Sequence, residues 1–322
     1  MRSLRNRRSF LRLAGLAQIA TLAGAHALNP IPRVGGPYLK PGLNVYSFLE
    51  LLKANAEDPA KGIDLFGACD FAAKANFDAV DLTGYFFPGY PKAPSDAYLA
   101  RIKRHTHALG LDISGTGVRN DFATADKAAR AAGVQITKDW IEVAARLGAP
   151  TIRVFAGPQP PHKNWPTAAN GANREDVEAW MAESLRECAE HGERFGVCVA
   201  VQNHADFLST GPEHLSLLQR VDHPWCGALV DTGKYITEDP YADIALMVPY
   251  AVNWQIKETI HSRTDSPRTD FKKLAKIIYD GGYRGYLPIE TLSMYRKTYD
   301  PFAEVTQVLM ELRAGIAAAS AS

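Results

Sequence analysis

Val197-Cys198-Val199-Ala200-Val201-Gln202 is a short apolar run closed by a polar residue, and Gly227-Ala228-Leu229-Val230-Asp231 is a second. Between them Pro212–Val221 carries the spacing of an amphipathic helix. A strand, a helix and a strand in that order imply parallel pairing, because a hairpin turn cannot join strands that run the same way. The unit recurs along the chain. Further apolar runs are Leu43–Phe48, Ala79–Leu82, Leu111–Ser114, Thr151–Phe155, Val252–Lys257 and Tyr286–Glu290. Helical stretches fall between runs at Ile63–Ala75, Asp96–Leu109, Asp126–Leu147, Glu175–Phe195 and Phe271–Asp280. Gly110, Gly148, Gly196 and Gly281 stand where helices should end.

Eight such alternations fit an α/β protein built as a single-domain (β/α)8 TIM barrel, for which about 250 residues is typical. The competing architecture is a doubly wound open sheet. It is disfavoured because no Gly-x-Gly-x-x-Gly follows the first strand. Gly115-Thr116-Gly117 is too little for a phosphate loop. Pro158–Asn173 is a polar, Pro-rich insertion after the fourth strand, where a barrel places active-face loops, and it reads as a lid.

The chain has 322 residues, 46% hydrophobic and 22% charged, which excludes a disordered or fibrous chain. Its four cysteines, Cys69, Cys188, Cys198 and Cys226, form no C-x-x-C pair, so no cysteine zinc site is readable. Net charge is +1, but five of the 36 basic residues (Arg2, Arg5, Arg7, Arg8 and Arg12) lie in the first 27 positions, which hold no acid. The remainder carries 31 basic against 35 acidic residues, a charge of −4. A mildly acidic body argues against nucleic acid as a partner.

The first segment reads as an address. Asn6-Arg7-Arg8-Ser9-Phe10-Leu11-Arg12 precedes an apolar stretch, Leu13 to Leu22, and Ala25-His26-Ala27 follows. A basic start, an apolar core and small residues at alternate positions are the parts of a signal peptide. The paired arginines before Phe-Leu resemble the twin-arginine motif of folded export. The expectation is a signal over residues 1–27, a barrel over 28–322, a periplasmic or otherwise exported location and no membrane span after cleavage. A basic amphipathic helix of the mature protein is the alternative.

Barrel chemistry collects at the C-terminal ends of the strands. There the fifth run closes with Gln202-Asn203-His204 and the sixth with Asp231-Thr232-Gly233-Lys234. The seventh reads Asn253-Trp254-Gln255-Ile256-Lys257-Glu258, and the eighth closes with Glu290. Two carboxylates at one mouth repel unless a positive charge separates them. A divalent cation would serve, with carbonyl oxygens from Gln202 and Gln255 beside Asp231 and Glu290. Residues i and i+2 of a strand share a face, so His204 accompanies Gln202 and Lys257 accompanies Gln255. Taken singly, each has a plainer reading: Asp231 as a helix cap, Glu290 as an arginine partner, the two Gln as core amides, His204 as a structural histidine.

At these residues the chain resembles the xylose isomerase-like TIM-barrel superfamily, the sugar phosphate isomerases/epimerases related to tagatose 3-epimerase and endonuclease IV. The family pattern ends the fifth strand in Glu-Asn-His, the sixth in Asp-Thr-Gly-His, the seventh in His-x-His-x-Lys-Asp and the eighth in Glu. By position, the resemblance implies metal ligands at Gln202, Asp231, Gln255 and Glu290, with Gln replacing Glu and His. The implied ion is a single Mn2+ or Mg2+, with Co2+, Zn2+ and Ca2+ as further options. In the epimerases the first and last glutamates trade a proton across the substrate. Gln202 cannot take one, so that symmetric mechanism is not expected here. Lys234 replaces the family histidine.

The expected activity is that of a metal-dependent isomerase or epimerase removing a proton beside the carbonyl of an unphosphorylated sugar or keto-sugar. Catalytic candidates are Glu290, His204 and Lys257. Tyr46, Tyr85, Arg119 and Arg153, with Asn203, Lys234, Trp254 and Glu258 from the motifs, form the expected carbohydrate-binding set. A β-eliminating lyase acting on 3-keto-glycosides is the alternative in the same site, and a non-catalytic carbohydrate-binding barrel the second. Dimers are frequent among such barrels, so a homo-oligomer is an open expectation.

Overall fold

The computed structural model describes residues 29–158, 164–204, 207–292 and 298–321. The expected signal at 1–27 lies outside them, as does the centre of the expected lid, 159–163. The strands are β1 (Tyr38–Asn44), β2 (Ala79–Thr83), β3 (Asp112–Gly117), β4 (Thr151–Phe155), β5 (Cys198–Gln202), β6 (Cys226–Asp231), β7 (Ala251–Gln255) and β8 (Arg284–Ile289). Each pairs in parallel with its sequence neighbour from β1 to β7, and β1 also pairs with β8 over six residues. Beyond β7 a parallel bridge, Ile256 to Ile289, brings the two edges together: Ile256 N donates to Pro288 O at 2.8 Å and Glu290 N to Ile256 O at 2.9 Å. Eight parallel strands in a nearly closed ring, alternating with helices, make the expected (β/α)8 barrel.

Ten helices among the described residues cover the strands: α1 (Leu49–Glu57), α2 (Leu65–Lys74), α3 (Asp96–Ala108), α4 (Lys127–Leu147), α5 (Trp165–Ala168), α6 (Arg174–Phe195), α7 (Gly211–Val221), α8 (Pro240–Met247), α9 (Phe271–Asp280) and α10 (Pro301–Ser320). Their starts follow from side-chain chemistry. Asp126 accepts from Ala128 and Ala129 N at the head of α4. Thr210 and Glu213 exchange bonds as a capping box at α7. The helices end as expected at Gly110, Gly148 and Gly196, all left-handed. Gly281 is not: its φ is −70°, and Gly282 takes the left-handed position instead.

The first strand lies earlier than the apolar run suggests. Leu43–Phe48 is mostly a 3-10 turn, Val45–Phe48, begun by Asn44, whose Oδ1 accepts from Tyr46 N at 2.9 Å. Pro41 and Gly42 disguise β1 because both are poor strand formers. They are tolerated since a Cβ at Gly42 would already touch Pro288 on β8 at 3.4 Å.

Trp140 on α4 and Trp254 on β7 are fully buried in the layer between strands and helices. The barrel's interior is partly polar. Asn253 Nδ2 on β7 donates to Asp81 Oδ2 on β2 at 3.0 Å and to Thr151 Oγ1 on β4 at 3.1 Å. Burial pushes the Asp81 carboxyl up to about 7, against the nearby positive charge of Arg153. Gly115 makes the room, as a Cβ there would come within 2.7 Å of that carboxylate.

Candidate active site

The C-terminal ends of the strands enclose a cavity of about 330 Å³. Ten of the fourteen expected site residues line it: Tyr46, Tyr85, Arg119, Arg153, Gln202, His204, Lys234, Gln255, Lys257 and Glu290. Thr83, Phe155 and Leu292 complete the wall, and the sequence reading did not single them out.

Lys257 is the centre of the charged floor. Its Nζ donates to Glu290 Oε1 and lies 3.6 Å from Asp231 Oδ2. Its stem is pinned, because a Cβ at Gly233 would approach Lys257 Cγ at 2.9 Å. Its backbone is tied at both ends: Lys257 N donates to Thr232 Oγ1 at 2.9 Å, and Thr269 Oγ1 donates to Lys257 O at 2.7 Å. Burial disfavours the ammonium, yet Asp231 and Glu290 outweigh it and raise the pKa, so this side chain is a fixed cation and not a proton acceptor. Burial raises the Glu290 pKa, with Lys257 opposing, which makes it a stronger base than a surface carboxylate.

Asp231 is fully buried behind the cavity floor. Its Oδ2 accepts from Gln202 Nε2 at 2.8 Å and its Oδ1 from Gly233 N at 3.1 Å. Gln202 Nε2 also donates to Gln255 Oε1, linking β5, β6 and β7. Gln202 Oε1 and His204 Nδ1 are buried polar atoms without a partner among the described residues, on side chains that face the cavity. Such atoms are costly unless something binds them. Burial, helped by Lys234, lowers the His204 pKa to about 3, so the ring is neutral.

The opposite wall is cationic and aromatic. Arg153 Nη1 donates to Val118 O at 2.7 Å and Nη2 to the Tyr85 hydroxyl, while the guanidinium lies 4.0 Å from the Phe155 ring centre. Arg119 sits 4.6 Å over the Tyr85 ring. Tyr46 meets Tyr85 edge-on. Neither Arg119 nor Lys234 forms an ion pair among the described residues.

Three expected contact residues stand elsewhere. Trp254 faces the helical layer, fully buried with its ring 5.5 Å from Tyr283. The strand alternation explains this correction: Asn253 and Gln255 point inward, so Trp254 points out. Asn203 bonds the backbone of Asp231. Glu258 Oε1 accepts from Leu292 N at 3.1 Å and borders a small adjoining crevice beside Lys234 and His261.

A family model, xylose isomerase-like TIM barrel, matches residues 69–312. The chain belongs to that family. No match was found among curated proteins. Among solved structures, this xylose isomerase-like barrel is similar to D-psicose 3-epimerase from Clostridium cellulolyticum H10, solved with D-tagatose. Identity is 17%, covering 86% of this chain and 99% of that one, with a TM-score of 0.67. It is also similar to L-ribulose 3-epimerase, at 17% identity over 88% and 96% of the chains and a TM-score of 0.68. A third is 3-keto-D-glucoside 4-epimerase from E. coli, at 15% identity over 86% and 100%, with a TM-score of 0.66. At these identities the likeness carries the fold. No helix among the described residues is long and apolar enough to cross a membrane.

The side chains present do not suit the divalent ion that the family resemblance implies. No group of three His, Cys, Asp or Glu gathers among the described residues. Asp231 and Glu290 are both engaged by the Lys257 ammonium, and Gln202 turns its NH2 toward Asp231 where a ligand oxygen would be needed. Arg153 lies near enough to favour ionised Glu290 as well. The two carboxylates thus face two cations already. Unit charges 4 Å apart interact by about 4 kcal/mol at an effective dielectric of 20, and a divalent ion beside the ammonium would double that repulsion.

Proposed function

We propose that this protein is a sugar isomerase or epimerase whose first chemical step removes a proton from the carbon beside a sugar carbonyl. The observation that carries the reading is Glu290. Among the described residues it is the carboxylate that lines the cavity, its pKa is raised by burial, and Lys257 holds it in place. The similar solved epimerases act on sugars, which agrees with a carbohydrate substrate.

In the step, the C–H bond breaks and the proton goes to Glu290 Oε. The electron pair moves to the carbonyl oxygen as an enediolate. Hydrogen-bond donors aimed at that oxygen lower the barrier, and an ammonium in a buried site is a strong one. Gln202 Oε1 and His204 Nδ1, without partners among the described residues, supply partners for sugar hydroxyls. Passing the hydroxyl proton between the two enediolate oxygens and returning the Glu290 proton to the former carbonyl carbon completes an isomerisation. No second carboxylate stands at Gln202 to protonate the opposite face, so a one-base proton shift is favoured over a two-base epimerisation.

The same observation favours a second reading. With one base, the enolate electron pair can instead expel a group from the next carbon, taking the proton with it, which is β-elimination from a keto-glycoside. Arg119 and Lys234 at the mouth favour a sugar bearing a carboxylate or other anion in either case. The twin-arginine-like start supports work outside the cytoplasm.

The test is incubation with aldoses, ketoses, uronates and 3-keto-glycosides in D2O. Deuterium at a single substrate carbon, lost in Glu290→Gln by about 100-fold or more, is the expected result. An ultraviolet-absorbing enone with a released aglycone marks the lyase. Binding without any exchange across the panel leaves a carbohydrate-binding barrel and ends the catalytic reading.

A further inference from the structure

We infer that, with glutamines at two of the family's ligand positions, the lysine that the family pattern already carries, Lys257, takes over the place of the divalent ion, so that the protein holds its two carboxylates and meets its ligand's oxygen without a metal. The binding half of this inference rests on side chains alone. Its catalytic half rests on the proton-abstraction reading.

Three independent features converge. Lys257 Nζ contacts both carboxylates, Glu290 directly and Asp231 at 3.6 Å, so neither is left uncompensated. Gln202 Nε2 donates to both Asp231 Oδ2 and Gln255 Oε1, so an NH2 is the group that faces the carboxylate. The lysine stem has no alternative berth. Gly233 packs against its Cβ and Cγ, its backbone is bonded on both sides, and it is only 4% exposed. Exchanging a glutamate and a histidine for glutamines removes one negative charge and one strong donor. The two remaining carboxylates carry two negative charges, which the Lys257 ammonium and the nearby Arg153 guanidinium already balance, so a divalent ion would bring an excess of two positive charges. At the same time the ammonium lines the cavity, so its remaining N–H groups are available to a ligand carbonyl oxygen.

The test begins with the full chain grown in medium containing Mg2+, Mn2+, Co2+ and Zn2+. Less than about 0.1 equivalent of any divalent metal after dialysis is expected, with no Mn2+-induced rise in Tm. One equivalent retained, or a Mn2+-dependent rise in Tm, overturns the inference whether or not a substrate is known. Lys257→Met then frees the two carboxylates, and a gain of Mn2+ binding is expected, read by Tm and by the Mn2+ electron spin resonance signal. A folded Lys257→Met that gains no Mn2+ affinity overturns the claim that the ammonium fills the cation's place. If that variant does not fold, the wild-type metal content decides. Should a substrate be found whose turnover chelators abolish, the inference fails while proton abstraction by Glu290 stands. If exchange persists with chelator but survives in Lys257→Met within about threefold, the catalytic half fails alone.

Discussion

Asn203 grips the backbone of Asp231 from both sides: its Oδ1 accepts the Asp231 N–H at 2.7 Å and its Nδ2 donates to the Asp231 carbonyl at 3.0 Å. The end of β5 therefore sets the position of the buried carboxylate on β6. Asn120 repeats the device between β3 and β4, bonding Phe155 N at 2.8 Å and Phe155 O at 2.9 Å. Both asparagines are buried, so their bonds are not shared with water.

Asn203→Ala should leave two buried backbone groups without partners. A loss of about 1–3 kcal/mol is expected, read as a lower Tm, together with weaker turnover because Asp231 no longer aims at Gln202. Asn203→Asp keeps the acceptor but places a third carboxylate near Asp231 and Glu290, and should be worse. An unchanged Tm in Asn203→Ala would show that the clamp is idle.

Arg119 and Lys234 bring positive charge to the mouth with no ion-pair partner among the described residues. Lys234→Met should weaken binding of an acidic sugar about 5- to 10-fold, roughly 1 kcal/mol, and leave a neutral sugar within twofold. Raising salt should reproduce the selective loss. Isothermal titration of a uronate against the parent hexose separates the two, and equal losses for both would remove electrostatic selection.

The barrel was legible because its signal is repeated: seven of eight apolar runs fall on strands to within two or three residues, and each closes at the same rim. The failure at β1 has a local cause, Pro41 and Gly42 inside a strand whose pairing with β8 overrides their propensity. The strand ends were legible for the same reason. Their alternation was not applied to Trp254, whose aromatic character drew it to the site although Asn253 and Gln255 already claimed the inner face. What spacing could not carry was partnership. That Lys257 lies on both carboxylates, that His204 is stripped of its charge by burial, and that Asp81 and Asn253 sit beneath the floor depend on contacts between strands distant in sequence.

Asp81 should leave a pH signature in stability. Its folded pKa is raised to about 7 by burial, above the ordinary 3.8 of the unfolded chain. Between about pH 4 and pH 7 the folded protein holds a proton that the unfolded chain has released, so stability falls as pH rises through that window and levels above it. Asp81→Asn keeps the acceptor for Asn253 Nδ2 and removes the charge. The variant should match the parent near pH 4 and exceed it at pH 8 by at most about 4 kcal/mol. Urea unfolding across that range measures it, and a constant offset at every pH would refute the assignment.

Gly117 controls the pose of Arg153. A Cβ added there would stand 2.9 Å from Arg153 Nε and Nη2, closer than unstrained atoms approach. The guanidinium has nowhere easy to go, being buried, bonded to Val118 O and stacked on Phe155. Gly117→Ala should therefore cost about 1–3 kcal/mol through overpacking and, on the proposed reading, raise KM more than it lowers kcat, since Arg153 lines the cavity on the wall opposite Glu290 and would contact ligand rather than the reacting carbon. Arg153→Lys lacks the planar fork that the methyl strikes. In the double variant the two costs should fall short of additive by about 0.5 kcal/mol or more, the mark of residues in contact. Strict additivity would mean that the backbone, and not the arginine, absorbs the methyl.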